Sequence, residues 1–127
     1  MAVSKTKSED LILEAYKAGL RDFGENKAQE MQNKYESLPK DIRWHFIGHL
    51  QRNKVKYIAP FVDTIHTVDS LRLLQEINKQ AQKHDRTIHC FLQIYIAQEE
   101  SKFGLSSQEA EVILMSEALE KYQNICI

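Results

Sequence analysis

The feature that most constrains this chain is a repeated change of hydrophobic period. Short runs rich in β-branched and aromatic residues alternate with runs of helical spacing, about five times over. Met1-Ala2-Val3 is a small β-prone piece that runs into Ser4-Lys5-Thr6-Lys7. Ser8 then caps a helix with Glu9 and Asp10 in its first turn and Leu11, Ile12, Ala15 and Tyr16 as its apolar stripe, closed by Gly19. Arg21 to Asn26 is a short strand and turn, and Lys27 to Ser37 a helix ended by Pro39. Ile42 to Ile47 is a strand stopped at Gly48, Gln51 to about Phe61 a short helix, and Thr64 to Val68 a strand. Asp69 caps a helix that buries Leu71, Leu74, Ile77 and Ala81. Thr87 to Ile96 is the most strand-like segment. After a polar loop, 97–105, Ser106 and Glu109 form a capping box for a helix to about Tyr122, and Asn124 to Ile127 begins another strand.

Such alternation predicts an α/β fold with a parallel sheet and right-handed crossovers. An open doubly wound sheet and part of a (β/α)8 TIM barrel both fit. The first usually carries a glycine-rich phosphate loop, and none of the 4 glycines stands in such an arrangement. A barrel needs eight units and about 250 residues. The expectation is therefore a partial (β/α)8 barrel of about five units plus a sixth strand. Residues 1–127 are expected to form a single domain, the N-terminal portion of a larger barrel truncated at both ends. Its first and last strands would be open edges, which invite dimerisation, swapping or aggregation.

Composition removes several function classes. A net charge of -1 offers no basic surface for nucleic acid. The apolar runs are too short to span a bilayer and no leader precedes Lys5, so a cytoplasmic protein is expected. Cys90 and Cys126 have no second Cys or His at metal spacing and read as reduced, buried thiols.

Lys5 is the leading candidate for chemistry. It follows a strand and precedes a helix, where α/β folds place functional groups. By parity it shares a face with Val3, so its stem points inward. A desolvated lysine keeps the neutral amine that Schiff-base formation requires. The alternative is a solvated lysine at a strand end. Asn26 ends the second strand and either caps the next helix or contacts a ligand. His45 and His49 are four apart, but on a strand ending at Gly48 that spacing does not build a zinc site, so no metal is expected and His45 packs beside Trp44. His66 is a structural histidine or faces a ligand at the barrel mouth. His84 and His89 read as surface residues. Arg52, Lys54 and Lys56 form a solvated helix face or meet phosphate, and Glu99, Glu100, Ser101 and Lys102 form the loop after the fifth strand.

Several stretches together resemble the pyridoxal phosphate homeostasis proteins, relatives of the N-terminal barrel of alanine racemase. They are Ala2–Lys7, Arg21–Asn26 with Gln29-Glu30, Trp44–Gln51 with Asn53-Lys54, Ile65–Ser70 and Glu99–Gly104. The resemblance implies a barrel of the fold-type III pyridoxal-phosphate class, with Lys5 holding pyridoxal 5'-phosphate as a Schiff base and Asn26 beside it. His45 and His66 complete the cofactor-binding set on neighbouring strands. It implies no catalytic residue and no turnover, but intracellular binding, buffering and delivery of the cofactor, with apo enzymes that use pyridoxal phosphate as recipients and a monomeric full-length protein.

Tyr16, His45 and His66 are the candidates for a second acid or base, and Lys102 for a transient second amine during transfer. The family's phosphate-binding elements, the arginine facing the pyridine nitrogen and the helix before the first strand have no counterpart here. Tyr95 replaces a smaller polar residue. Weak or no stable binding by this length of chain is therefore expected. The rivals are an amino-acid racemase or decarboxylase of the same fold type, which needs a base opposite Lys5, and an aldolase-like enzyme using Lys5 without cofactor.

Overall fold

The structure is a computed structural model that describes residues 1–93, 106–114 and 122–127. Its strands are β1 (Ala2–Val3), β2 (Asp22–Glu25), β3 (Arg43–Phe46), β4 (Thr64–Val68), β5 (Ile88–Leu92) and β6 (Ile125–Cys126). They alternate with helices α1 (Glu9–Lys17), α2 (Ala28–Ser37), α3 (Val55–Ile58), α4 (Leu71–Lys83) and α5 (Ser107–Leu114). Local chemistry explains most boundaries. The Ser8 hydroxyl accepts from Leu11 N, and Gly19 takes the left-handed conformation (φ 108°) that ends α1. Ser106 and Glu109 bond reciprocally at the start of α5, as a capping box does.

All neighbouring strands pair in parallel, in the order β1-β2-β3-β4-β5-β6. Each crossover moves one place in the same direction. Right-handed connections that never reverse put every helix on one face of the sheet. A doubly wound sheet reverses its order to cover both faces, so of the two expected architectures this is the singly wound sense of a (β/α)8 barrel. Within the described residues the sheet is open, with β1 and β6 at its edges.

Burial follows from that asymmetry. Phe23, Trp44, Phe46, Ile65, Ile88 and Cys90 alternate onto the helix-covered face, where they join Ile12, Met31, Val55, Ile58, Leu74 and Ile77 in one core. The opposite face carries Val3, Asp22, His45, His66 and Phe91, and among the described residues no helix layer covers it. Val3 is 50% exposed and Phe91 55% exposed for that reason.

Several expectations need correction. Ser70, not Asp69, caps α4, because its hydroxyl is the one that reaches Leu73 N. Leu73 takes a core place expected of Leu71, and Leu11 faces solvent. The single helix expected over 51–61 is a 3-10 turn, Arg52–Lys54, running into α3. Cys126 is exposed on the edge strand, whereas Cys90 is buried and its thiol is pushed up to about 12 by that burial. Tyr95 and the loop with Glu99, Glu100, Ser101 and Lys102 lie outside the described residues.

Candidate functional site

The C-terminal ends of β1 and β2 carry a dense polar construction. β1 stops at Val3, and Ser4 N donates to Gly24 O at 2.9 Å. Lys7 N then donates back to Ser4 O at 3.1 Å, closing a turn over residues 4–7. Lys5 sits in this turn with its side chain exposed. The desolvation expected of its stem is therefore not found: Lys5 and Val3 agree in exposure, and among the described residues no helix layer closes over them.

Thr6, next to Lys5, has φ 60°. The left-handed region is unfavourable for a β-branched residue, at a cost on the order of 1–3 kcal/mol, and such strain persists only where surroundings over-determine it. Here the Thr6 amide donates to Glu30 Oε1 at 2.8 Å.

Beneath the turn lies a buried ionic network. Ser4 is buried and its hydroxyl donates to Glu25 Oε2. Glu25 is fully buried, and Lys34 Nζ approaches its two oxygens at 3.0 and 3.1 Å. The same ammonium donates to Ser4 O at 2.8 Å and to Glu30 Oε1 at 2.8 Å. Burial pushes the Glu25 carboxyl up, against the pull of Ser4 and Lys34. The Lys34 hydrogen bond holds the Glu30 carboxyl below its ordinary value.

Asn26 follows β2. It does not cap α2, whose N-cap is Lys27 with no side-chain capping bond. Asn26 Oδ1 is instead a buried acceptor without a partner among the described residues. A buried amide oxygen without a donor is costly. The loop after β3 presses against it. A Cβ on Gly48 would meet Asn26 O at 2.4 Å, and Thr67 Oγ1 donates to Gly48 O at 2.5 Å. Gly48→Ala is expected to cost about 1–3 kcal/mol through this clash with backbone, read as a lowered urea midpoint. Beside Asn26 a cleft of about 260 Å³ is lined by Phe46, His49, Leu50, Lys54 and Tyr57.

The uncovered face carries a second construction, across the four strands β2 to β5. Arg43 donates to both Asp22 oxygens, at 2.8 and 2.7 Å. His45 Nε2 lies 2.9 Å from Asp22 Oδ1, and His45 Nδ1 lies 2.9 Å from His66 Nε2. Phe91 packs on His66 with ring centroids 5.1 Å apart. Arg43, and after it His45, hold the Asp22 carboxyl far below the usual carboxylate range. An ionised Asp22 only accepts, so the proton on that side belongs to His45 Nε2, and the bridge between the rings carries one proton shared by two bases. The register makes Val3, Gly24, His45 and Thr64 level, so Lys5 and His66 each lie two residues beyond that level. His45 thus does not pack beside Trp44, since strand alternation sends Trp44 to the other face against Phe23.

Burial, with His45 beside it, holds His66 below the ordinary imidazole value. The unfolded chain then takes up this proton more readily than the folded one. Stability carried by neutral His66 is complete above the unfolded value of about 6.5 and is lost as pH falls below it. Urea titrations of His66→Gln are expected to show a shallower loss between about pH 7 and about pH 5.5 than the parent.

Other candidates lie apart. Tyr16 donates to Asp41 Oδ1 at 2.6 Å, ahead of β3 and at the opposite end of the strands from Lys5. His49 Nδ1 is 3.6 Å from Asp69 Oδ2. Arg52, Lys54 and Lys56 are exposed, as are His84 and His89. Among the described residues no cluster of three or more His, Cys, Asp or Glu could hold a metal ion, and no helix is long and apolar enough to cross a membrane. Lys34 and Arg43 were not singled out from sequence, and Asp22, Glu25 and Glu30 entered only as members of the motifs that carry the resemblance, with no role assigned. Their signals were a glutamate on the parity of Phe23 and a lysine three places after Met31.

The fold recurs in known proteins. The pyridoxal phosphate homeostasis protein of Vibrio alginolyticus is 38% identical over 132 aligned positions, covering 100% of this chain and 56% of the relative. PipY of Synechococcus elongatus, solved without and with PLP bound, superimposes with TM-scores of 0.88 and 0.83 at 34% and 32% identity, covering 99% and 100% of this chain and 59% and 58% of PipY. An alanine racemase from Clostridium difficile, at 14% identity and TM-score 0.76, covers 99% of this chain with 33% of its own and shares the fold. The chain spans about half the length of the homeostasis-protein relatives it matches, at 56%, 54% and 48% for three of them. The family model described as "Alanine racemase, N-terminal domain" matches residues 1–126, and the chain belongs to that family.

Proposed function

We propose that this protein binds pyridoxal 5'-phosphate through Lys5 and serves to hold, buffer and deliver it. The observation that carries the reading is the exposed Lys5 amine on a turn anchored on both sides, by buried Ser4 and by Thr6, at the C-terminal end of β1. The likeness to homeostasis proteins and to PLP-bound PipY supports it.

The residues present fit the aldehyde end of the group, whereas the elements that the resemblance assigns to its phosphate and pyridine nitrogen are not among residues 1–127. A primary amine stands in solvent reach, and the orphaned Asn26 Oδ1 offers an acceptor to a donor on the ligand. When bound, the cofactor supplies an aldehyde that a neutral amine captures reversibly with loss of water. Lys5 provides the amine, and its exposure allows a competing amine or water to take the cargo away. Asn26 orients, and His45 with His66 holds a proton on the uncovered face. A carrier needs no more than reversible capture, so we read the protein as non-catalytic and intracellular, with apo enzymes of the same cofactor as recipients. Lys102 remains the proposed second amine for transfer.

Absorbance titration with pyridoxal phosphate, then borohydride reduction and peptide mapping, tests this. A saturable band with the reduced adduct confined to Lys5 supports it. Labelling scattered over surface lysines overturns it. The His45–His66 pair is the one feature that favours a racemase-type reading, because it holds a shared proton near the level of Lys5. Amino acids incubated in deuterated buffer are expected to keep their α-proton; exchange would transfer the assignment to that enzyme class.

A further inference from the structure

We propose that Glu30, held by the buried Lys34–Glu25 pair, is a positioning residue that clamps the Ser4-Lys5-Thr6 turn in its strained conformation and so presents the Lys5 amine. The inference rests on the reading of Lys5 as the capturing group, and adds to it the device that makes this lysine different from its neighbours.

Two contacts bracket Lys5 and both trace to one ammonium. On one side Lys34 Nζ donates to the Ser4 carbonyl at 2.8 Å. On the other, Glu30 Oε1 accepts from Thr6 N and from Lys34 Nζ, each at 2.8 Å. Glu30 therefore joins a left-handed threonine to a charge anchored in the interior. Without that acceptor, Thr6 at φ 60° has every reason to relax to an ordinary conformation, and the peptide carrying Lys5 rotates with it. Glu25 fixes the far side of Lys34, and its own second oxygen is taken by the Ser4 hydroxyl. A purely structural ion pair would not need to reach both residues that flank the exposed lysine. Lys7 ends the same turn, its amide donating to Ser4 O, but its exposed ammonium lies outside the Glu30–Lys34–Glu25 network and serves as an internal reference.

The test uses the full chain with Glu30→Ala and Glu30→Gln. Glu30 is at the rim of the network, with its side chain 26% exposed, so both variants are expected to fold. Pyridoxal phosphate is the probe, trapped with borohydride at short times and quantified at Lys5 against Lys7. If the competent turn falls to about a tenth of the population, capture at Lys5 falls about tenfold. That is the expected result for Glu30→Ala, with faster hydrogen exchange of the Thr6 amide. Glu30→Gln, whose amide oxygen still accepts from Thr6 N, is expected to recover most of the Lys5-to-Lys7 ratio. An unchanged ratio in Glu30→Ala overturns the clamp, even where its urea midpoint drops. A parent chain with no adduct at Lys5 overturns the capture reading instead. The clamp is then decided by the Thr6 amide alone: faster exchange in Glu30→Ala sustains it and unchanged exchange ends it.

Discussion

Arginine in place of Lys5 is expected to leave the chain folded and to abolish covalent capture of pyridoxal phosphate. The two side chains share charge and most of their stem. They differ in that a guanidinium does not shed its proton in a protein, so no neutral nitrogen is available to attack an aldehyde. Lys5 is exposed, and a substitution at such a position usually changes stability by less than about 0.5 kcal/mol. The effect should therefore separate cleanly from folding. In a titration the saturable band disappears, and in the reduced peptide map the label at position 5 is lost while surface lysines keep their background. Lys7→Arg is the matched control and is expected to retain the band. A Lys5→Arg protein that still gave a saturable, single-site adduct would move the capturing amine elsewhere and take the carrier reading at Lys5 with it.

The reach of sequence reasoning in this chain followed the range of the interactions involved. Strand and helix alternation was legible because it depends on period alone, and Ser8, Gly19, Ser106 and Glu109 because capping is decided within a few residues. Asp69 was the wrong cap because Ser70 beside it caps as well and only backbone geometry decides which reaches Leu73 N. Lys5 was legible as a position, but not its exposure, which depends on all helices lying on one face. By type Asn26 was either a helix cap or a ligand contact; that its oxygen has no partner among the described residues depends on how the Gly48 loop closes over it. The His45–His66 contact required the β3–β4 register, which no local pattern contains. The Glu25–Lys34 pair was half-visible. Glu25 shares the parity of buried Phe23, and Lys34 follows Met31 by three on the buried stripe of α2. Each looks like an error in patterning by itself, and the two explain each other only when the strand and the helix after it are packed together.

That pairing sets the largest expected loss of stability. Lys34→Met keeps much of the stem volume but removes the ammonium from between Glu25, Glu30 and Ser4 O. Glu25 is then a fully buried carboxylate with one hydroxyl donor left. Removing one partner of a buried pair costs about 3–5 kcal/mol, because the remaining charge keeps its desolvation penalty and loses its compensation. The pH dependence identifies the cause. In the parent, burial already lifts Glu25 above its ordinary value, with Ser4 and Lys34 pulling it down. Without Lys34 that lift increases. A carboxyl whose folded value is raised favours folding at low pH, and this advantage is lost as pH rises from the unfolded value through the folded one. The Lys34→Met deficit in urea stability should therefore be greatest near about pH 8 and shrink toward about pH 5, where Glu25 enters the fold protonated. Adding Glu25→Gln removes the charge without removing the acceptor for Ser4, and the double variant is expected to regain most of the loss. A deficit of equal size at both pH values, unrelieved by Glu25→Gln, would mean that Lys34 stabilises the fold through packing of its stem, and that the charge beneath the Lys5 turn contributes little.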